Sequence, residues 1–303
     1  MKTPEENKRL TVVIFGAGNV ATHFAEAFAQ KCTVAQIVAR TMESAERLVR
    51  RLESLRQQQS SPSGNSSSVK VEENTGCPSG KVKAITDYSK IRPDADLYLI
   101  AVSDDEVANV AARTPDFPGI WAHTSGSTGM EVFSGNKSRY GVFYPLQTFS
   151  RDLEVDMSQV PMFIEGSSPE VSDELRRIAS AIAGPVELAD SERRKKLHLA
   201  AVFACNFANL MWLEADGLLK KDGLSVNFLR PLLTVTLDKL NHMSPREAMT
   251  GPARRGDIEV INSQLEALPE SLRPMYALLS KSILDIYHPG LVSEVGNIPE
   301  SNQ

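Results

Sequence analysis

Four consecutive apolar residues, Val12-Val13-Ile14-Phe15, stop abruptly at Gly16-Ala17-Gly18-Asn19-Val20-Ala21, and helix-forming residues follow over 22–29. No other stretch narrows the possible folds as much. A β-branched run predicts a buried strand, and G-x-G-x-x-A predicts a tight turn opening a helix. Gly16 permits the turn, while Gly18 lets the backbone approach a ligand with no Cβ in the way. Ala21 is small enough for the helix to pack closely on a sheet. The helix start leaves N–H groups unpaired at its positive dipole end, which suits phosphate. Strand, glycine turn and helix in this order open a dinucleotide-binding fold. Gly16, Ala17, Gly18, Asn19 and Val20 are the candidate pyrophosphate contacts.

The chain has 303 residues and a net charge of −5, with no dominant basic stretch, so nucleic acid is not an expected partner. The short basic cluster Arg193-Arg194-Lys195-Lys196 reads as a solvated face. Cys32, Cys77 and Cys205 are widely spaced, which gives neither a disulfide framework nor a metal site. Cys205 sits in an apolar run and reads as core. The first residues carry no apolar signal region, and no stretch reads as a membrane span, so a cytoplasmic location is expected.

Beyond the first unit, apolar runs alternate with amphipathic helices. Residues 34–39, 82–86, 97–102, 142–144, 161–164 and 186–188 read as strands, 119–126 as a strand and turn, and 44–56 and 172–183 as helices. Thr41 is placed to cap the helix at 44. Residues 57–80, rich in Ser, Gly and Pro, read as a disordered insertion, more plausibly a tolerated loop than a regulatory element. After 190 only helices are expected: 191–221, 225–243, 257–267 and 271–287, with Pro274 tolerated in a first turn. The fold class is α/β. A Rossmann domain over 9–189, a doubly wound parallel sheet, precedes an all-α domain over 190–290.

Arg40 directly follows the second strand, where an NAD-selective site would place an acid for the ribose hydroxyls. Its guanidinium suits a 2′-phosphate instead, with Thr41 as a further donor, which favours NADP(H). Val102 and Ser103 end the fourth strand on the edge where ligands bind, beside the expected nicotinamide. His123 and Ser125 end the next strand on that edge. His123 either exchanges a proton with substrate or closes a turn, and the residues leave both open. His198 and Asn206, eight residues apart, are taken to share a face of the long helix. The segment 250–257, with Thr250 and the Arg254-Arg255 pair, suits a rigid anion-binding loop, and Asp257 is placed to cap the next helix.

With these segments located, the chain resembles the Rossmann-like family carrying the domain DUF2520. That family is related to coenzyme F420-dependent NADP oxidoreductases and to pyrroline-5-carboxylate reductase. The matching motifs are Gly16 to Ala21, Arg40, His123 to Gly126, Tyr144-Pro145-Leu146-Gln147-Thr148-Phe149, His198 to Phe207, and Thr250 to Asp257. The resemblance implies an NADP-binding domain and a helical domain that dimerises, of the type that ends 6-phosphogluconate dehydrogenase. The lysine with an asparagine four residues later, found in 6-phosphogluconate and β-hydroxyacid dehydrogenases, is absent: Lys195 and Lys196 are followed by Leu199 and Ala200. His198 with Asn206 stands in its place.

The expected function is NADP(H)-dependent hydride transfer to or from a small substrate in an interdomain cleft. His198, Asn206 and His123 are the catalytic candidates, with His198 first as proton donor or acceptor. Ser125, Thr250 and Arg255 are the candidates for substrate binding. The alternative is an NADP(H)-binding sensor without turnover, and F420-linked transfer to NADP is a weaker third reading. Apolar helical stretches at 210–213 and 229–237 predict a homodimer through the helical domain.

Overall fold

A computed structural model describes residues 9–60 and 81–296. Most of the expected insertion, residues 61–80, lies outside them, as does Cys77. Residues 57–60 belong to the second helix rather than to a loop.

The strands are β1 (Thr11–Phe15), β2 (Thr33–Val38), β3 (Lys83–Ile85), β4 (Leu97–Ile100), β5 (Ile120–His123), β6 (Tyr140–Pro145), β7 (Met162–Gly166) and β8 (Val186–Leu188). They form one sheet in the order β3-β2-β1-β4-β5-β6-β7-β8. This is the Rossmann order extended by two strands. Strands β1 to β6 pair in parallel. The expectation of a parallel sheet fails at one place, where β6 and β7 are antiparallel, with Tyr144 opposite Phe163. The 146–161 connection holds only a short 3-10 turn, Met157–Gln159. With no crossover helix, the chain folds back beside β6.

Helices α1 (Asn19–Lys31), α2 (Met42–Ser60), α3 (Asp104–Arg113) and α4 (Pro169–Ser180) cover the sheet. Alternation along β1 explains the two layers. Val12 and Ile14 enter a core with Phe24, Phe28, Leu48 and Leu175, while Val13 and Phe15 enter another with Tyr98, Val107, Trp121 and Phe133. Both sides of β1 are thus dry, which is why its sequence reads as a continuous apolar run.

The chain forms two compact units that divide between Met211 and Trp212. The sequence places the boundary near 189. The first unit includes α5 (Ser191–Ala201) and the π-helical turn Val202–Phe207 that continues it into α6 (Ala208–Lys221). The second unit contains α7 (Arg230–Lys239), α8 (Pro245–Ala248), α9 (Pro252–Arg255), α10 (Ile258–Ala267) and α11 (Arg273–Tyr287). Its own buried cluster is small: Ala253, Ile261, Leu284 and Val295. Asp257 stands at the start of α10, yet makes no capping bond there and accepts from Arg255 Nε at 2.8 Å instead. The 31-residue helix Ser191–Lys221, which contains an 18-residue window of mean hydropathy 1.2, is long and apolar enough to cross a membrane by length and composition, contrary to the sequence reading. The same helix carries a buried ion pair to β7, described below.

Gly16 shows how tightly the first unit is specified. Its φ is +115°, and a Cβ there would stand 2.1 Å from the carbonyl oxygen of Ala101. Gly16→Ala is therefore expected to lower the thermal midpoint sharply, by more than the roughly 1–3 kcal/mol of backbone strain alone. Gly217→Ala, in open space within α6, should stabilise by about 0.5–1 kcal/mol. Paired thermal melts of the two variants test the contrast.

Candidate functional site

The carboxyl ends of β1, β4, β5 and β6 lie along one edge of the sheet. At β1 the chain turns through Gly16, whose N–H donates to Val38 O at 2.8 Å, and enters α1 with Gly18 as N-cap. A Cβ on Gly18 would meet nothing within 4 Å. No acidic residue occupies the first turn of α1 and no side chain caps it. Its first N–H groups are thus left to a ligand. After β2, Arg40 is exposed and forms no ion pair among the described residues. Thr41 caps α2, its Oγ1 accepting from Ser44 N at 3.3 Å, as expected.

A cavity of about 380 Å³ opens along this edge. Its wall includes Val20 of α1, Val102 and Asp104 after β4, Thr124, Ser125 and Gly126 after β5, Tyr144 of β6, and His198 and Asn206. Ser103 does not join the wall; it is exposed at the start of α3 and makes no capping bond. Ser125 is buried and holds its own loop: Oγ accepts from Thr128 N at 2.9 Å and donates to Thr128 Oγ1 at 2.9 Å. The 146–151 segment is fastened over the glycine turn. Asn19 Nδ2 donates to Phe149 O at 3.0 Å, Arg151 Nη2 donates to Ala17 O at 3.2 Å, and His23 stacks on Phe149 at 4.8 Å.

His123 is fully buried and does not line the cavity. Its Nδ1 accepts from Ser125 N at 3.2 Å, and its ring stacks on Phe133. Burial, reinforced by the nearby Arg194 charge, pushes its pKa down to about 4. A neutral imidazole closing the turn is the role this geometry provides. Trp121 and His123 each carry a buried ring nitrogen without a partner among the described residues.

Arg194 corrects the reading of the 193–196 cluster. Asp190 caps α5 through Arg193 N at 2.7 Å, and the next residue is then turned into the protein. The Arg194 side chain is 0% exposed; Nη1 donates to Glu165 Oε2 of β7 at 2.5 Å, and Nη2 donates to Thr128 O at 2.6 Å. Glu165 also accepts from Ser191 N and Oγ. Arg193, Lys195 and Lys196 are exposed as expected.

The π turn decides which face of this helix meets the cavity. Eight residues overshoot two α turns, about 7.2 residues, by nearly one position. Hydrogen bonds spanning i→i+5 absorb that extra residue. His198 and Asn206 therefore do share a face, through a feature that α-helical periodicity cannot supply. The turn also brings Cys205 out to the cavity wall as an exposed free thiol, where the sequence suggests core. Asn206 is exposed and makes no hydrogen bond among the described residues.

Tyr144 is the cavity residue that sequence reasoning missed. Its Oη lies 3.1 Å from His198 Nδ1. The motif at 144–149 marks the segment as distinctive, but strand alternation cannot tell a core tyrosine from one whose hydroxyl reaches a cavity. Thr250 and Arg255 belong to the second unit, where they line a separate, open hollow with Arg254 and His288. Arg255 is paired there with Asp257 at 2.7 Å.

The fold and this edge define a protein of the Rossmann nucleotide-binding class. The family described as Domain of unknown function (DUF2520) matches residues 160–283. The structure of a putative NADP oxidoreductase from Bacteroides fragilis is 36% identical, covers 91% of this chain and 98% of that chain, and superposes with a TM-score of 0.76. The chain belongs to this DUF2520-containing family. The fold is shared with 1-pyrroline-5-carboxylate reductase of Streptococcus pyogenes (13% identity, 94% and 98% coverage, TM-score 0.55). It is shared also with a reductive aminase of Aspergillus terreus, solved with NADPH and ethyl-5-oxohexanoate (14%, 94% and 91%, 0.55). No curated protein matches.

Two stability measurements follow. His123 binds its proton less readily when folded than the usual 6.5 of an unfolded histidine, so its contribution to stability is present above pH 6.5 and lost as pH falls towards about 4. Urea unfolding of His123→Gln should show a shallower loss across that window, by up to about 3 kcal/mol. Arg194→Met leaves Glu165 without its cation and should cost about 3–5 kcal/mol in the same assay.

Proposed function

We propose that the chain is an NADP(H)-dependent oxidoreductase acting on a small carbonyl or imine substrate in the cavity of its first unit. One observation carries the reading: a single cavity runs from the first turn of α1 to His198 and Asn206, so a phosphate-binding helix start and a polar, titratable end share one space. The residues present fit the cofactor. The open position at Gly18, the acid-free start of α1 and the exposed Arg40 suit a dinucleotide with an extra phosphate. Gly16 to Val20 would hold the pyrophosphate, Arg40 and Thr41 the 2′-phosphate, and Val102 the nicotinamide side. Bound there, the cofactor supplies or accepts hydride; the protein orients, excludes water and handles the proton. The kinship to the Bacteroides fragilis protein and the fold shared with two reductases support this assignment.

Calorimetry is expected to show NADPH binding more tightly than NADH. Arg40→Ala should weaken NADPH at least tenfold while leaving NADH nearly unchanged, since one charge-assisted phosphate contact contributes about 1.5–3 kcal/mol. Equal loss for both nucleotides would overturn the 2′-phosphate assignment, and no binding of either would overturn the oxidoreductase reading.

The same reading includes a homodimer in the aqueous cytoplasm. The helical segments expose Phe203, Leu213, Phe228, Leu232, Val235 and Leu237, more apolar surface than a monomer ordinarily leaves wet. A second copy is the proposed cover. Sedimentation at micromolar concentration should give twice the chain mass of 33.2 kDa.

A further inference from the structure

We propose that Tyr144 and His198 act as one proton-delivering pair, with Tyr144 Oη protonating the substrate heteroatom and His198 Nδ1 replenishing it. The proposal rests on the oxidoreductase reading and names the groups that complete it.

The pair is built with care. Tyr144 is 7% exposed, and its ring meets the His198 ring edge-on at 6.1 Å and 76°. Both line the cavity. Gly126 gives them their room: a Cβ there would stand 2.7 Å from His198 Nδ1 and 2.9 Å from Tyr144 Cε2. A glycine at the end of β5, with no positive φ to require it, is thus explained by the two rings. From the helix side, the Arg194–Glu165 pair holds α5 one turn before His198.

Three other polar groups of the wall are not placed to donate a proton. Ser125 is committed to its loop, Asp104 is bonded to Ser127, and Asn206 has no proton to release. Charged neighbours bear on Tyr144 from two sides: Arg194 favours the phenolate and Asp104 opposes it, while burial dominates and raises the pKa. A free tyrosine in that position would hold its proton, so the adjoining imidazole has a function: it supplies a proton to Oη as the phenol gives one up.

The step balances as follows. In the reductive direction the C=O or C=N π bond breaks, and a reduced nicotinamide held at the start of α1 would supply hydride to the carbon. The heteroatom takes the proton of Tyr144, while Oη accepts the Nδ1 proton of an imidazolium His198. His198 is left neutral, and because it is half-buried rather than enclosed, solvent returns its proton. Oxidation runs the same transfers in reverse.

The test uses the full chain with NADPH, and cyclohexanone and 1-pyrroline as probes. Tyr144→Phe, which keeps the ring packing, should lower kcat by about 100-fold or more, with the NADPH Kd unchanged within about twofold. His198→Gln should behave similarly, and the double variant should be no worse than Tyr144→Phe, as for residues acting as a unit. A readout independent of turnover is the ¹⁵N spectrum of histidine-labelled protein, in which Tyr144→Phe and Gly126→Ala should both move the His198 Nδ1 resonance. An unmoved resonance, or a Tyr144→Phe variant retaining most of its turnover, would overturn the pair alone. If neither probe is reduced, the spectrum decides. Absence of NADPH binding would overturn the oxidoreductase reading itself.

Discussion

The buried contact between Arg194 and Glu165 holds together three separate parts of the first unit. It joins the helix after the sheet to the antiparallel strand β7, and through Thr128 O it reaches the loop that follows β5. A buried ion pair of this kind adds little net stability, because desolvating two charges offsets much of their attraction. Its value is specificity. A guanidinium with this many fixed acceptors permits one rotation of α5 about its axis, and that rotation sends His198 towards Tyr144 and Gly126.

The antiparallel return of β7 has a functional consequence too. Because no crossover helix follows β6, the 146–151 segment lies along the ligand edge and is bonded to Ala17, Asn19 and His23. The wall of the cavity therefore contains both the first turn of α1 and the carboxyl end of β6. A regular βαβ repeat would have carried that segment away over the sheet face. The π turn acts in the same sense on the helix side, turning Cys205 and Asn206 onto the cavity wall at a cost in helical regularity.

Much of the fold was legible before any coordinate was known. The strand positions, the glycine turn, the Thr41 cap and the succession of sheet then helices all follow from local periodicity and turn chemistry, which depend on neighbours within about two turns. The place of Arg40 directly after β2 is legible as well, since it is set by the upstream motif. The errors share a cause. Arg194 sits in a run of four basic residues, and only the acceptor on β7, 29 positions away, makes it a core residue. Cys205 reads as core because the π turn is invisible to an α-helical period. The residues around His123 allow two roles, and its burial behind the loop goes with the packing of Phe133 against it.

By itself, then, the sequence determined a dinucleotide-type turn on a doubly wound sheet, a cation suited to an additional phosphate, and a helical second half. Those are properties of short segments. What tertiary structure alone decided is which polar side chains share a cavity. Tyr144 and His198 stand 54 positions apart yet within 3.1 Å, because a reversed strand, a buried charge pair and the room left at Gly126 bring them together. None of these leaves a periodic trace along the chain, since each depends on partners that only folding makes adjacent.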